Sequence, residues 1–380
     1  MPSESEGSQV TGTAPAALRR SSRDRDVIRR RLEAWLAGRT AGPPPTVPVL
    51  EGTSATGMSS ETLLFDVAWD DGRTDRLVAR VAPDPGDVPV FPRYELGHQY
   101  AVLRAVGDLT AVPVPAVRWN EPDPSHLGAP FFVMERVDGR VPPDVMPYNF
   151  GDSWLYAAPE RDQRRLQDAV VAVLAELHAV DRAEERFPFL QRAHPGPTPL
   201  RRHVAATRAW YEWAAGDDLR SDLIERLFAW LDHHWPRDEG PTVLSWGDAR
   251  IGNIIFGDDM APAAVLDWEM AGLGPRELDV GWLVYSHRIF EDFANALDLP
   301  GMPHLLRAGD VSATYEQLTD HAIRDLPFYG TYAALQYAIV FLRTGRRQVH
   351  FGEVDPPASP DDLILNRDAV ERMLDGSYWS

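Results

Sequence analysis

From residue 46 to residue 137 the apolar positions come in short β-branched and aromatic runs broken by turns, whereas beyond about residue 159 they recur at helical spacing. That change of period separates a sheet region from a helical one. Strands are predicted over 46–50, 62–69, 76–81, 114–119 and 130–137, with a helix over about 94–106 placed after the third, so the sheet is mostly antiparallel. Ahead of it, Val27, Ile28, Leu32, Trp35 and Leu36 fall on one helical face, and Gly38 supplies a stop. Later helices are predicted over about 159–180, 200–214, 219–235, 276–287 and 315–345, with short strands between 242 and 268 and no repeat at a fixed period. Residues 1–20, rich in Ser, Gly, Thr and Ala, read as a loose tail, and the Gly- and Pro-punctuated stretch 138–152 reads as a linker. The expected class is α+β: a small sheet lobe with its leading helix over 21–137 and a larger, mainly helical lobe over 153–380.

Composition narrows the function by exclusion. A hydrophobic fraction of 44% and a charged fraction of 25% belong to a packed globular protein. A net charge of -19 repels nucleic acid, whose phosphates demand a basic surface. There is no Cys, which removes disulfides, thiolate nucleophiles and Cys-based zinc sites. The N-terminus lacks an apolar signal core, and the most apolar run, 332–342, is too short to span a bilayer and contains Gln336, so no membrane partner and a cytoplasmic location are expected. Every basic residue is Arg, because the chain contains no Lys. Any cation that grips phosphate here must therefore be Arg, and a Walker-A loop and Schiff-base chemistry on a Lys amine are both ruled out.

The sharpest signal is the segment Leu244-Ser245-Trp246-Gly247-Asp248-Ala249-Arg250-Ile251-Gly252-Asn253-Ile254-Ile255-Phe256, followed by Val265-Leu266-Asp267-Trp268-Glu269. Phosphoryl transfer needs a carboxylate to orient and deprotonate the attacking hydroxyl, and oxygen ligands to hold Mg²⁺ against a triphosphate. Asp248, Asn253 and Asp267 supply that inventory, and Asp248 to Asn253 is the D-x-x-x-x-N interval of the kinase catalytic loop. Singly such residues are turn and cap formers; their joint spacing between two apolar β runs is what carries weight.

The pattern resembles the aminoglycoside phosphotransferase and choline kinase group, a branch of the protein-kinase-like fold whose loop reads H-G-D-x-x-x-x-N and whose metal carboxylate begins D-W-E or D-F-G. Gly247-Asp248, Asn253 and Asp267-Trp268-Glu269 match it, while Trp246 stands in place of the usual His. The resemblance implies a bilobal, ATP- and Mg²⁺-dependent phosphotransferase acting on a hydroxyl of a small molecule, with Asp248 catalytic and Asn253 and Asp267 as metal ligands. Arg250 is a candidate to neutralise the transferring phosphoryl group, or else a surface Arg paired with a local carboxylate. In the sheet lobe Arg80, the one charge in Leu77-Val78-Ala79-Arg80-Val81, takes the slot of the family's phosphate-gripping Lys. Glu95 is preferred as its ion-pair partner over Gln99, one helical turn further on. The Gly52–Ser60 segment, with Ser59 and Ser60, resembles the loop over the phosphates, and Glu135, Arg136 and Val137 occupy the hinge where adenine pairs with backbone groups.

The acceptor is less legible. An aminoglycoside, which would imply antibiotic resistance, stands beside another small hydroxylated metabolite, and Trp246 and Arg80 leave room for a catalytically weak nucleotide-binding pseudokinase. A binding module without nucleotide would leave the Asp248, Asn253 and Asp267 spacing unexplained. Glu277, Asp279, Trp210, Tyr211 and Trp213 are candidates for an acceptor pocket, although helix-spaced aromatics belong more often to a core.

Overall fold

The computed structural model describes residues 24–52, 60–144 and 147–379. The tail 1–20 and most of the small-residue loop, including Ser59, lie outside the described residues. Helix α1 (Arg25–Ala37) starts where the Asp24 side chain accepts the Val27 N–H, and it buries Ile28, Leu32, Trp35 and Leu36. Strands β1 (Thr46–Gly52), β2 (Glu61–Ala68), β3 (Thr74–Val81), β4 (Val117–Glu121) and β5 (Phe131–Glu135) form one sheet in the order β1-β2-β3-β5-β4, with every neighbouring pair antiparallel.

The period-2 alternation of side chains decides what each face meets. Leu77, Ala79 and Val81 of β3 and Phe131 and Val133 of β5 pack in one core with α1. Val78 of β3 and Phe132 and Met134 of β5 point the other way, into the core shared with α2 (Leu96–Leu109) and the helical region. Arg80 has the parity of Val78, so the central strand aims its single charge at the helical side.

That helical side consists of α3 (Glu160–His178), the short α4 (Ala183–Arg186), α5 (Pro199–Ala215), α6 (Asp222–His233), α7 (Glu277–Ala296), α8 (Ala308–Thr319), α9 (Leu326–His350) and α10 (Arg367–Leu374). The long helix expected over 315–345 is two helices. Asp320 and Asp325 adopt left-handed backbone angles, and Pro327 lies in the first turn of α9, where its missing N–H costs nothing. Between α6 and α7 run two short antiparallel ladders, β6 (Val243–Ser245) with β9 (Gly272–Gly274) and β7 (Ile254–Phe256) with β8 (Pro262–Val265). These ladders hold the loops that carry the motif residues. Gly139 (φ +150) brings the chain leaving β5 onto β7, since a Cβ there would meet the Phe256 carbonyl at 2.6 Å.

Candidate active site

Strand β6 runs straight into the loop at Trp246, and a single buried carboxylate sets the path of that loop. Asp279, in the first turn of α7, accepts the Ser245 hydroxyl (2.8 Å), the Trp246 N–H (2.8 Å), the Gly247 N–H (2.8 Å) and His178 Nε2 (3.0 Å). Gly247 follows with φ +90, and a Cβ on it would stand 2.2 Å from the Met270 carbonyl oxygen, so no larger residue fits this turn. Asp279 therefore belongs to the framework of the loop and not to an acceptor pocket. Glu277 is likewise buried, against His321 at 3.2 Å. Trp210 spends its N–H on the Val90 carbonyl and Tyr211 bonds the backbone of Ser221, so these aromatics are core.

Beyond the turn, Asp248 is held by three side chains. Its Oδ1 accepts from Trp282 Nε1 (2.8 Å) and Arg250 Nε (3.0 Å), and its Oδ2 accepts from Asn253 Nδ2 (2.7 Å). Trp282 is itself fixed by stacking on Tyr337 with ring centroids 5.0 Å apart. Arg250 also reaches Asp144 through Nη1. Burial works against the Arg250 charge, but Asp248 and Asp144 outweigh it and hold the guanidinium pKa well above its ordinary value. Arg250 is thus a paired cation that orients Asp248.

The second carboxylate follows from the same loop. The Asn253 carbonyl accepts the Leu266 N–H (2.8 Å), and the Trp246 indole donates to the Leu266 carbonyl (2.9 Å), so both backbone groups preceding Asp267 are fastened to the Asp248 loop. Trp246 is fully buried beside Trp268, with ring centroids 6.0 Å apart. Where the family has His, this Trp braces by packing and by a directed N–H. Asp267 itself takes φ +57, a left-handed angle that is costly for Asp and that turns its carboxylate toward the sheet. There Arg80 Nη2 stands 3.4 Å from Asp267 and 4.0 Å from Glu269, while its Nη1 donates to Thr62 Oγ1 at 2.9 Å.

The fold therefore brings Arg80, Asp248, Arg250, Asn253 and Asp267 to one cleft and sets Glu95 apart. Glu95 is exposed at the start of α2, and among the described residues the carboxylates within 4.0 Å of Arg80 are Asp267 and Glu269, because the strand alternation points Arg80 across the cleft. Gln99 is the buried member of that helix face. Ser60 is fully buried, and its hydroxyl has no partner among the described residues. The Glu135 side chain pairs with Arg118, and its N–H is spent on the Ala116 carbonyl. The Arg136 N–H is spent on the Arg76 carbonyl, and alternation turns the polar groups of Glu135 and Val137 away from β3. The sequence reading missed Trp282, although its place one turn after Asp279 on the helix predicted over 276–287 could have marked it; Asp144, in an irregular segment far along the chain, gave no signal.

The set fits a divalent cation of the Mg²⁺ type. Asn253 spends its amide N–H groups on Asp248, which leaves Oδ1 for a metal beside the Asp267 carboxylate. Among the described residues no cluster of three acidic or imidazole ligands exists, and Mg²⁺ characteristically takes only one or two protein oxygens, with water and phosphate completing its shell. Nor, among these residues, is any helix long and apolar enough to cross a membrane.

The chain is 32% identical to acyl-CoA dehydrogenase family member 11 of Gallus gallus over 196 residues, 51% of this chain and 23% of that protein. It spans about a quarter of the length of the curated relatives it matches. A candidate aminoglycoside phosphotransferase of Ralstonia eutropha shares the fold at a TM-score of 0.64 and 23% identity, over 92% of this chain and 98% of that one. A thermostable mutant of aminoglycoside phosphotransferase APH(4)-Ia, in ternary complex with ADP and hygromycin B, shares it at 0.52 and 18%, over 90% and 98%. The sequence pattern of the phosphotransferase enzyme family matches residues 59–305, well over half of the chain and all of the motif residues except Gly52 to Met58 of the small-residue loop, and the chain belongs to that family.

Proposed function

We propose that the chain transfers the γ-phosphoryl group of ATP to a hydroxyl of a small molecule, with Asp248 as the base. The observation that supports this most is the continuous path of contacts through the cleft: Asp248 to Asn253 at 2.7 Å, the Asn253 carbonyl to the Leu266 N–H at 2.8 Å, and Asp267, the next residue, to Arg80 at 3.4 Å. The nucleotide lies between the sheet lobe (21–137) and the helical lobe (153–380), with 138–152 as the connection; its adenine meets the backbone of Glu135 to Val137, and its phosphates meet Arg80 and Ser60. Asp267 and Asn253 Oδ1 would hold Mg²⁺, which would neutralise phosphate charge when bound.

Trp282 and Arg250 both donate to Oδ1 of Asp248, so Oδ2, which shares only the Asn253 amide and the longer Arg250 contact, is the oxygen that faces the acceptor. The acceptor proton passes to Asp248, the freed oxygen forms the new bond to phosphorus, the bond to the bridging oxygen breaks, and ADP leaves. Arg250 fixes the orientation of the base. Trp246 and Arg80, the two departures from the family pattern, each have defined partners in their slots, which favours an active enzyme over a pseudokinase.

Asp248→Asn keeps shape and most of the hydrogen bonds but removes the base, so turnover falls by about 10² to 10⁴ while MgATP affinity barely changes. The assay is ADP release over a panel of hydroxylated acceptors that includes aminoglycosides such as hygromycin B, paired with calorimetry of MgATP. Near-normal turnover of the Asn variant on an active acceptor defeats the mechanism.

A further inference from the structure

Arg192 lies outside the cleft just described and has no counter-charge among the described residues. Among the described residues no carboxylate stands within 4.0 Å of it, and its Nε is buried without a hydrogen-bond partner. In a chain with 57 acidic and 38 basic residues, a guanidinium without a carboxylate beside it calls for a cause. Burial pulls its pKa down, with Tyr332 acting against it.

The guanidinium is nevertheless firmly placed. Nη2 contacts His203 Nε2 at 3.2 Å; with the Arg as donor, His203 carries its proton on Nδ1 and shares it with the Tyr332 hydroxyl at 2.6 Å, which lies 2.6 Å from Thr207 Oγ1. Thr207 closes the chain by donating to the His203 carbonyl at 3.2 Å. The result is a preorganised cation at the end of a buried neutral network.

It faces a recess lined by Arg192, Arg202, Gln191, Pro199 and Leu273, with the exposed Glu184 at its edge. Arg202 and Pro199 belong to the first turn of the 17-residue helix α5, whose N-terminal end carries positive potential. Two guanidinium groups and a helix start thus converge on one small concavity, and among the described residues Arg202 has no carboxylate within 4.0 Å either, its Nη1 being bonded to the Gly196 carbonyl at 3.3 Å. A carboxylate at the edge, paired with neither Arg, leaves the charge of the recess positive.

The recess also lies close to the catalytic turn. A Cβ placed on Gly272 would stand 3.4 Å from Arg192 Nη2 and 3.8 Å from the Met270 carbonyl oxygen, and one placed on Gly247 would stand 2.2 Å from that same oxygen. One strand of backbone therefore separates Arg192 from the residue next to Asp248.

We propose that Arg192 and Arg202, with the start of α5, form a binding site for a small oxyanion, a carboxylate or phosphate group, distinct from the nucleotide site at Arg80. The group belongs either to the acceptor itself, as an anionic tail reaching past Gly272, or to a free anion that binds there independently. Desolvating one guanidinium without a protein carboxylate beside it is unfavourable unless a ligand supplies the charge. A bidentate oxyanion does so with the geometry that Arg favours.

The probe is inorganic phosphate, titrated by calorimetry into wild-type protein, Arg192→Gln, Arg202→Gln and Arg80→Gln, with circular dichroism on each to verify folding. The expected result is one phosphate site whose Kd rises at least about tenfold in Arg192→Gln and in Arg202→Gln and is unchanged in Arg80→Gln. If Arg192→Gln fails to fold, Arg202→Gln and Arg192→Lys carry the comparison. Absence of a phosphate site, or one that follows Arg80 alone, overturns the proposal. The source is resolved by turnover on a hydroxylated carboxylic acid and on the matching diol. A KM increase confined to the acid in Arg192→Gln assigns the group to the acceptor; equal KM values, with phosphate still bound by the wild type, assign it to a free anion, and both results uphold the site. Phosphate binding needs no turnover, so failure of the phosphotransferase reading would show only in the kinetic arm.

Discussion

Trp246→Phe isolates the brace between the Asp248 loop and Asp267, the carboxylate proposed to hold metal. The substitution removes one N–H, the donor to the Leu266 carbonyl at 2.9 Å, and shortens a fully buried ring packed against Trp268. Stripping a carbonyl of its donor costs about 1–3 kcal/mol, and the smaller ring leaves a void worth roughly another 1 kcal/mol. The total, about 3 kcal/mol, is set against an unfolding entropy on the order of 0.7 kcal/mol/K for a chain of this length, so Tm should fall by about 4 °C. The functional effect is more specific. Leu266 keeps its other anchor, the N–H on the Asn253 carbonyl, so Asp267 should loosen without leaving the cleft.

Mg²⁺-dependent nucleotide affinity should therefore drop by about three- to tenfold, while Mg²⁺-free nucleotide affinity changes little, since only the metal side is disturbed. Scanning calorimetry gives the first number, and titration of ATP with and without Mg²⁺ gives the second. Trp246→His restores a donor in a smaller ring and should recover part of both losses. A Phe variant with Tm and Mg²⁺ dependence both unaltered would show that the indole N–H plays no part in placing Asp267.

Arg80→Gln should weaken ATP far more than adenosine, by about 10-fold or more, because the lost contact is to phosphate; equal losses in calorimetry would place Arg80 elsewhere. Gly247→Ala forces a Cβ to 2.2 Å from the Met270 carbonyl oxygen at φ +90, so a destabilisation above about 3 kcal/mol or an inactive loop is expected, and near-wild-type denaturation would contradict the packing. His287 is fully buried, and desolvation lowers its pKa to about 4. Above about pH 6.5 neither state carries that proton; as pH falls toward 4 the unfolded chain takes it up and the folded protein does not, so stability is lost across this window, by roughly 3 kcal/mol at its end. Urea unfolding at stepped pH checks this: His287→Gln should flatten the slope, and an unchanged slope would refute the assignment.

What the sequence made legible was local. The interval from Asp248 to Asn253 and the Asp267-Trp268-Glu269 triplet are short-range patterns, and the strands of the sheet show in their β-branched and aromatic runs, whereas the strand order, with β5 beside β3, did not. Where two features competed in one window, the stronger masked the weaker: the apolar period of α9 carried a single helix back across Pro327 and the two left-handed Asp residues that divide it from α8. Partners distant in sequence were out of reach. Glu95 was the reasonable partner for Arg80 on the adjacent helix, but the strand twist and parity direct Arg80 to Asp267, 187 positions away. Asp144 and Arg192 reach their partners from irregular segments, where no period constrains side-chain direction.

The absence of Lys shapes the cleft beyond a change of residue type. Arg80 spreads its donors over Thr62 and Asp267, and Arg250 spreads its own over Asp248 and Asp144, so each cation ties together two elements that a single ammonium would touch at one point. For Arg250 the fork fixes the plane of the Asp248 carboxylate, which Trp282 and Asn253 complete from the other sides. For Arg80 the fork joins β2 and β3 to the loop after β8, so the two lobes are bridged at the position proposed for the phosphates. On the function proposed above, Arg80 would meet the phosphates and Asp267 would hold Mg²⁺, so the cost of parting Arg80 from Asp267 would be offset at both ends: the guanidinium by phosphate and the carboxylate by metal.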